Sequence, residues 1–388
     1  MKRPLAYTLG LNMTETFGPV ISNGQCWERI MISNFVSNIA ESSLLRTFNS
    51  ATDIVEISDL FGLHHQKCLI KRKKLSKLKN RHRFKNIFVI SNLSTYHNID
   101  KIINGRDVIN ISDKEFLISN FDFNESLILL TNNNLAQIGP ADFSRFIEQF
   151  ESSVVAVHDF DNHHWHHLSI ACAVVADVYV PAHLSSSIIQ SRINPNIDIS
   201  LPCGTIQWTR ELLFNHLENI FNLKRTKSPL GMHNFYEKFK YRNSVISTLG
   251  KNIPSVQINL ENFHIRSAND RFNEWASHSC HWIIPVHNDL PIRFFDALIT
   301  GGIPIIPSSL VHQMEYFKIP AHFYVTHDAL DILDPAEVIQ RANDLFENHS
   351  VEGILERFQF CLNNYHVNSI ASSIIEHCEK KYLQGTPT

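Results

Sequence analysis

Two aspartates and five histidines fall within the eleven residues Val157-His158-Asp159-Phe160-Asp161-Asn162-His163-His164-Trp165-His166-His167. Carboxylates and imidazoles exchange protons near neutral pH. The first expectation is therefore that Asp159 or Asp161 acts as general base or nucleophile, with His158 or His163 polarising or positioning an acceptor. A metal is the second reading, since on a helix His163 would share a face with His166 and His167. The run lacks the His-Glu-x-x-His order, however, and no metal is expected. The third reading is structural, with Asp161 or Asn162 capping a helix that begins near His163.

A second stretch, His281–Ser309, reads as strand, polar loop, helix, glycine turn and strand. Trp282–Val286 has the length of a buried strand, and His287-Asn288-Asp289 is a polar break. Ile292–Thr300 places Phe295, Leu298 and Ile299 on one helical face, and Gly301-Gly302 ends that helix before a strand at Ile303–Ile306. The polar loop thus lies between a strand's carboxyl end and a helix's amino end. Free N–H groups and the helix dipole favour anions there. Arg293 stands at the start of that helix. Upstream, Gly231-Met232-His233 is expected to be a turn supplying N–H donors, and Tyr241-Arg242-Asn243-Ser244 places Arg242 ahead of the apolar pair Val245-Ile246.

The remaining elements must position these groups. A strand is expected at residues 5–10, an amphipathic helix over Cys26–Leu45 and a short strand at Asp53–Ile57. Strands follow at Asn86–Ile90, Val108–Ile111, Ser126–Leu130, Val154–Val157 and Ala176–Val180, with a helical segment at Pro140–Phe150. Then come a helix at Glu211–Leu223, a strand at Ser255–Ile258 and helices at Ala268–His278, Pro335–Asn348, Val351–Cys361 and Ile370–Leu383. Strands alternating with helices indicate α/β architecture with largely parallel sheets. The proline-containing break Lys224–Pro229 is the expected domain boundary. This gives an N-terminal lobe at 1–225, a C-terminal lobe at 226–366 and a final helix at 367–388.

The 388 residues suit two domains, and 44% hydrophobic with 19% charged residues describes a globular protein with two cores. A net charge of -3 argues against nucleic acid as a partner. Seven scattered cysteines without a C-x-x-C pair fit a reduced compartment, and no signal peptide or membrane span is read, so a cytoplasmic protein is expected. The basic run Lys71–Lys85 reads first as a solvated face and second as peripheral contact with anionic lipid headgroups or a polyanionic acceptor.

Arg293-Phe294-Phe295-Asp296-Ala297-Leu298-Ile299-Thr300-Gly301-Gly302-Ile303-Pro304-Ile305-Ile306 resembles the exostosin-like glycosyltransferases, whose pattern is Arg-x-Phe-Asp-Ala-(apolar)2-x-Gly-x-Ile-Pro-Val-Ile. Ile283-Ile284-Pro285 and Asn288-Asp289-Leu290-Pro291 are similar to that family's apolar-Pro and Gly-Asp-x-Pro elements. Asn288 stands where the family has glycine, and the spacer from Asp289 to Arg293 is shorter. The resemblance is confined to His281–Ser309, with a weaker continuation through Tyr316–Leu333. It implies two Rossmann-like lobes facing a cleft, of the GT-B type, with C-terminal helices crossing back to the N-terminal lobe. It also implies a nucleotide-sugar donor in the C-terminal lobe and a polysaccharide or glycolipid acceptor. The donor would meet Gly231, Tyr241, Arg242, Asn288, Asp289 and Arg293, with Asp296 near its ribose or sugar hydroxyls and Gly301 and Gly302 packed closely beside it. The 157–167 run would then supply the chemistry without metal or cofactor. The competing expectations are a metal-dependent hydrolase built on His158–His167 and a non-catalytic sugar- or nucleotide-binding partner subunit.

Overall fold

The computed structural model describes residues 54–78, 82–90, 99–112, 115–116, 121–131, 150–159, 176–181, 197–198, 206, 208–236, 239–259, 267–286 and 290–384. The expected strand at 5–10, the helix at Cys26–Leu45 and almost all of the Pro140–Phe150 segment lie outside these residues. Contacts divide the chain into two compact units. One comprises Met1–Cys203 together with Val367–Thr388, and the other Gly204–His366.

The first unit opens on helix α1 (Ile54–Leu75), whose start covers the segment expected as a strand at Asp53–Ile57. Its apolar residues Ile54, Val55 and Ile57 are β-branched, but the chain runs unbroken by Pro or Gly into Leu60-Phe61, and helix continuity overrides local preference. A parallel sheet follows, built from β1 (Ile87–Ile90), β4 (Ile109–Ile111), β5 (Leu127–Thr131), β6 (Val154–His158) and β7 (Val178–Val180). Its spatial order is β4-β1-β5-β6-β7. A small antiparallel pair, β2 (Ile102–Ile103) and β3 (Arg106–Asp107), precedes β4. Strands β1, β5, β6 and β7 are buried throughout, the mark of a parallel sheet covered on both faces. Helix α9 (Val367–Tyr382) packs Ile370, Ala371, Ile374 and Cys378 into the core of this unit, although it is the last element of the chain.

Buried Asp177 ties the elements of that unit together. Its carboxylate accepts from Lys71 Nζ at 2.6 Å, from the Val155 N–H at 2.8 Å and from the Cys68 thiol at 3.3 Å. The Tyr382 hydroxyl donates to its backbone oxygen at 3.1 Å. Lys71, the first member of the basic run, is therefore engaged inside the unit, and Lys74 reaches Ser152 Oγ at 3.2 Å.

The second unit begins with short helices α2 (Arg210–Asn215) and α3 (Leu217–Asn222), which divide at His216 the segment expected as one helix. Strand β8 (Gly231–Asn234), helix α4 (Lys240–Asn252) and β9 (Val256–Asn259) come next. They are followed by α5 (Ala268–Ala276), β10 (Cys280–Trp282), α6 (Ile292–Ile299), β11 (Ile303–Pro307), α7 (Val311–Tyr316) and β12 (Val325–His327). Helix α8 (Ala336–Asn364) runs continuously where two helices were expected, because nothing at Ser350-Val351 interrupts the pattern.

Strands β8 and β9 pair in parallel, as do β10, β11 and β12. The two groups meet where Leu230 bridges His281, with Trp282 N donating to Leu230 O at 2.8 Å and Leu230 N to Cys280 O at 3.0 Å. The resulting order is β9-β8-β10-β11-β12. Strand order thus reverses between β8 and β10, and doubly wound sheets bind ligands in the crevice beyond the carboxyl ends of such a pair. Helix α6 is almost wholly buried, with Phe294, Phe295, Ala297, Leu298 and Ile299 in the core, so its position beside that crevice is fixed by packing on nearly every side.

Candidate functional site

The carboxyl end of β8 carries His233 and Asn234, and that of β10 leads into Ile283–Pro285. His233 is 1% exposed and joins the two strands through an Nε2 hydrogen bond to Trp282 O at 3.1 Å. Burial, with Arg293 and Arg242 adding positive charge, holds its imidazole well below the ordinary histidine range, so it is neutral. Two cations therefore converge on the crevice from different helices.

Arg242 comes from the first turn of α4. It donates from Nη1 to Asn234 O at 2.7 Å and lies over the Tyr236 ring at 5.0 Å. Those contacts aim the side chain. Arg293 comes from the first turn of α6, and its Nε is enclosed without a hydrogen-bond partner. Among the described residues no carboxylate lies within ion-pair distance of it. Burial lowers its pKa, while Tyr236 and Asp296 pull it upward. A partly buried guanidinium that no carboxylate pairs at close range, with only Asp296 acting on it from further off, favours an external anion. Asp296, one turn further along α6, is 7% exposed, and its Oδ1 has no partner. Desolvation pushes its carboxyl up to about 7, against the pull of Arg293 and Arg271.

Arg242 also lines a cavity of about 770 Å³, within the range of small-ligand sites. Its walls come from the start of α4 (Phe239, Tyr241, Val245) and from the segments that follow β10 (Ile284, Pro285), β11 (Pro307–Ser309) and β12 (Asp328, Ala329, Ile332). An apolar slot with a few polar groups results. Ser308 Oγ donates to Asp328 Oδ1 at 2.5 Å, and His327 packs its ring 5.1 Å from that of Trp282. Tyr241, 75% exposed, stands at the rim.

Of the residues singled out from sequence, Tyr241, Arg242, Arg293 and Asp296 thus lie around the carboxyl ends of this sheet. Gly231 does not form a turn. It opens β8, its N–H is spent on Ser255 O at 3.0 Å, and a Cβ would lie 2.8 Å from the Val256 side chain. Gly301 and Gly302 stand at the amino end of β11, away from the cavity. Gly301, at φ +80, ends α6 in a Schellman turn, with Gly301 N bonded to Leu298 O at 2.9 Å and Gly302 N to Ala297 O at 2.8 Å. Asn288 and Asp289 lie outside the described residues.

In the other unit His158 and Asp159 sit at the carboxyl end of β6, both buried. Tyr179 donates to Asp159 Oδ2 at 2.5 Å, and burial lowers the His158 pKa to about 3, leaving a neutral ring. Asp161, His163 and the rest of that run lie outside the described residues. Among the described residues no group of three or more His, Cys, Asp or Glu side chains is arranged to hold a metal ion.

Tyr236, Phe239, Ser308, His327 and Asp328 were not singled out from sequence, and His233 enters there only as part of an expected turn. The one available signal was positional, since each follows or ends a strand of a parallel sheet.

No family model matches the sequence, the exostosin-like one included, and no curated protein matches it. Among solved structures the chain is similar to the catalytic domain of starch synthase IV from Arabidopsis thaliana bound to ADP and acarbose. The TM-score is 0.38 at 9% identity, covering 66% of this chain and 73% of that one. It is also similar to two structures of the wall teichoic acid polymerase TagF, with TM-scores of 0.30 and 0.29 at 8% and 11% identity, each covering 84% of this chain and 98% of that one.

Proposed function

We propose that the chain is a GT-B-type glycosyltransferase that moves a sugar from a nucleotide-sugar donor to a hydroxyl of a polysaccharide or glycolipid acceptor, without a metal. One observation carries the reading: Arg242 and the partnerless Arg293 converge at the strand-order reversal, next to a cavity of ligand size. A diphosphate would supply the close ion-pair partner that Arg293 lacks among the described residues. Nucleobase and ribose would fill the apolar slot, whose polar Ser308 and Asp328 face hydroxyls. In transfer the leaving diphosphate gains charge, and two preorganised guanidiniums stabilise charge that develops there. The base or nucleophile is assigned to the loop after β6, at Asp159 or Asp161, with His158 or His163 positioning the acceptor.

Thermal shift with UDP, GDP, CMP and dTDP tests the donor site. A ligand at roughly a hundred times its Kd stabilises by about 2.7 kcal/mol. At least one of the four should raise the melting temperature, with and without a chelator. Silence from all four would remove the basis of the proposal. A rise that the chelator abolishes would replace the metal-free reading with a metal-dependent one.

A further inference from the structure

Arg293 and Asp296 occupy successive turns of one face of α6, Arg293 partly buried and Asp296 buried, and each has an enclosed polar atom without a partner. No hydrogen bond or ion pair joins them. Resting on the donor-site reading above, we infer that the phosphate of a bound nucleotide sugar competes with the Asp296 carboxylate for Arg293, so that binding takes up one proton on Asp296.

The physical argument starts from the free site. There the carboxylate is stabilised by Arg293 on its own helix and by Arg271 on α5, while burial opposes ionisation. Cys361 on α8 also faces it, as a thiol that burial keeps protonated. Around Arg293 stand Tyr236 and His233, and His233 also faces Arg242. An arriving phosphate satisfies Arg293 and sets a second negative charge near the carboxylate. The attraction that kept Asp296 ionised is then cancelled, and its desolvation is unchanged. The low-dielectric surroundings leave protonation from solvent as the way to avoid two adjacent anions. The free carboxyl titrates at about 7, so this exchange falls in the neutral range. The bound complex holds more protons than the separated partners, and affinity must therefore fall as pH rises.

The test uses the full chain with UDP-glucose and GDP-mannose, whose bridging diphosphate keeps its charge across the range. Calorimetric titration from about pH 6 to about pH 8.5, in two buffers of different ionisation heat, reads the protons directly. Uptake approaching one proton is expected in the wild-type chain, with Kd rising up to about tenfold per pH unit above neutrality. The Asp296→Asn variant should bind with little pH dependence and more tightly than wild type at the alkaline end. Binding without proton uptake in the wild type would overturn the inference and leave the donor site standing, and this reading does not depend on the variant's folding. An equal pH slope in Asp296→Asn would also overturn it, moving the proton to a neighbour such as His233. Loss of affinity in Asp296→Asn at every pH would show a direct contact to the ligand instead. If neither sugar nucleotide binds, the donor-site reading falls and this inference with it.

Discussion

Gly302 lies against the imidazole of His281, so closely that a Cβ on the glycine would stand 2.5 Å from Nε2 and 2.6 Å from Cδ2. His281 cannot move aside, because it is fully buried and stacked on Trp275 with ring centroids 4.7 Å apart. Gly302→Ala should therefore destabilise the protein by about 1–3 kcal/mol through overpacking. Denaturation followed by tryptophan fluorescence will measure this. Nucleotide binding well below the melting temperature should be unchanged. A variant of normal stability that no longer binds would return Gly302 to the ligand site.

Arg293 and Arg242 should respond differently to removal. Arg293 has an enclosed Nε without a hydrogen-bond partner but is only partly buried, so Arg293→Met should change stability little. Nucleotide affinity should fall about tenfold to a hundredfold, the worth of about 1.5–3 kcal/mol for a charge-assisted bond. Arg242→Met should weaken binding and also lower the melting temperature, because it strips a donor from Asn234 O and a cation from the Tyr236 ring. Unaltered nucleotide affinity in Arg293→Met would sink the phosphate assignment.

The parallel α/β architecture was legible because the evidence for it is local. Val154–His158 and Ile303–Pro307 are apolar runs of strand length beside polar or glycine breaks, and they fold as read. The pattern around Arg293 places it at a helix start, whereas the strand and helix that flank Arg242 were not legible from sequence. Gly231, just after the break at Lys224–Pro229, reads as a turn, while its true constraint is the Val256 side chain on the neighbouring strand, 25 residues away. Long-range packing of that kind leaves no periodic trace. The same holds for Asp177, whose partners Lys71 and Tyr382 lie 106 and 205 residues distant in sequence.

Asp177 is the best single lever on the first unit. Asp177→Ala would leave Lys71, 17% exposed at its side chain, and the Val155 N–H without an acceptor. Breaking a buried pair costs about 3–5 kcal/mol, and the partial exposure of Lys71 places the expected loss near the lower figure. Proteolysis should then cut the first unit preferentially. Lys71→Met, which removes the cation but leaves the Val155 and Cys68 bonds, should cost less. Equal losses in the two variants would deny the backbone bond to Val155 its part.

Acid should unfold the protein by way of its buried histidines. His158, His233 and His281 are each held neutral by burial, His158 at about 3 and the others well below the ordinary value. A histidine depressed in the folded state contributes stability that is full above the unfolded value of about 6.5 and is lost as pH falls toward the folded value. Each such ring adds a slope of up to about 1.4 kcal/mol per pH unit in that window. Asp296 works with the opposite sign. Its folded value of about 7 exceeds that of an unfolded carboxyl, so its unfavourable ionisation is relieved as pH falls from neutrality toward about 4. Urea denaturation across that range should show stability dropping with acid, since three histidines outweigh one carboxyl. Asp296→Asn should be more stable than wild type near pH 8 by on the order of a few kcal/mol, with the gain vanishing near pH 4. A gain that persisted unchanged into acid would mean that the folded Asp296 titrates like an unfolded carboxyl, and its assigned desolvation would have to be abandoned.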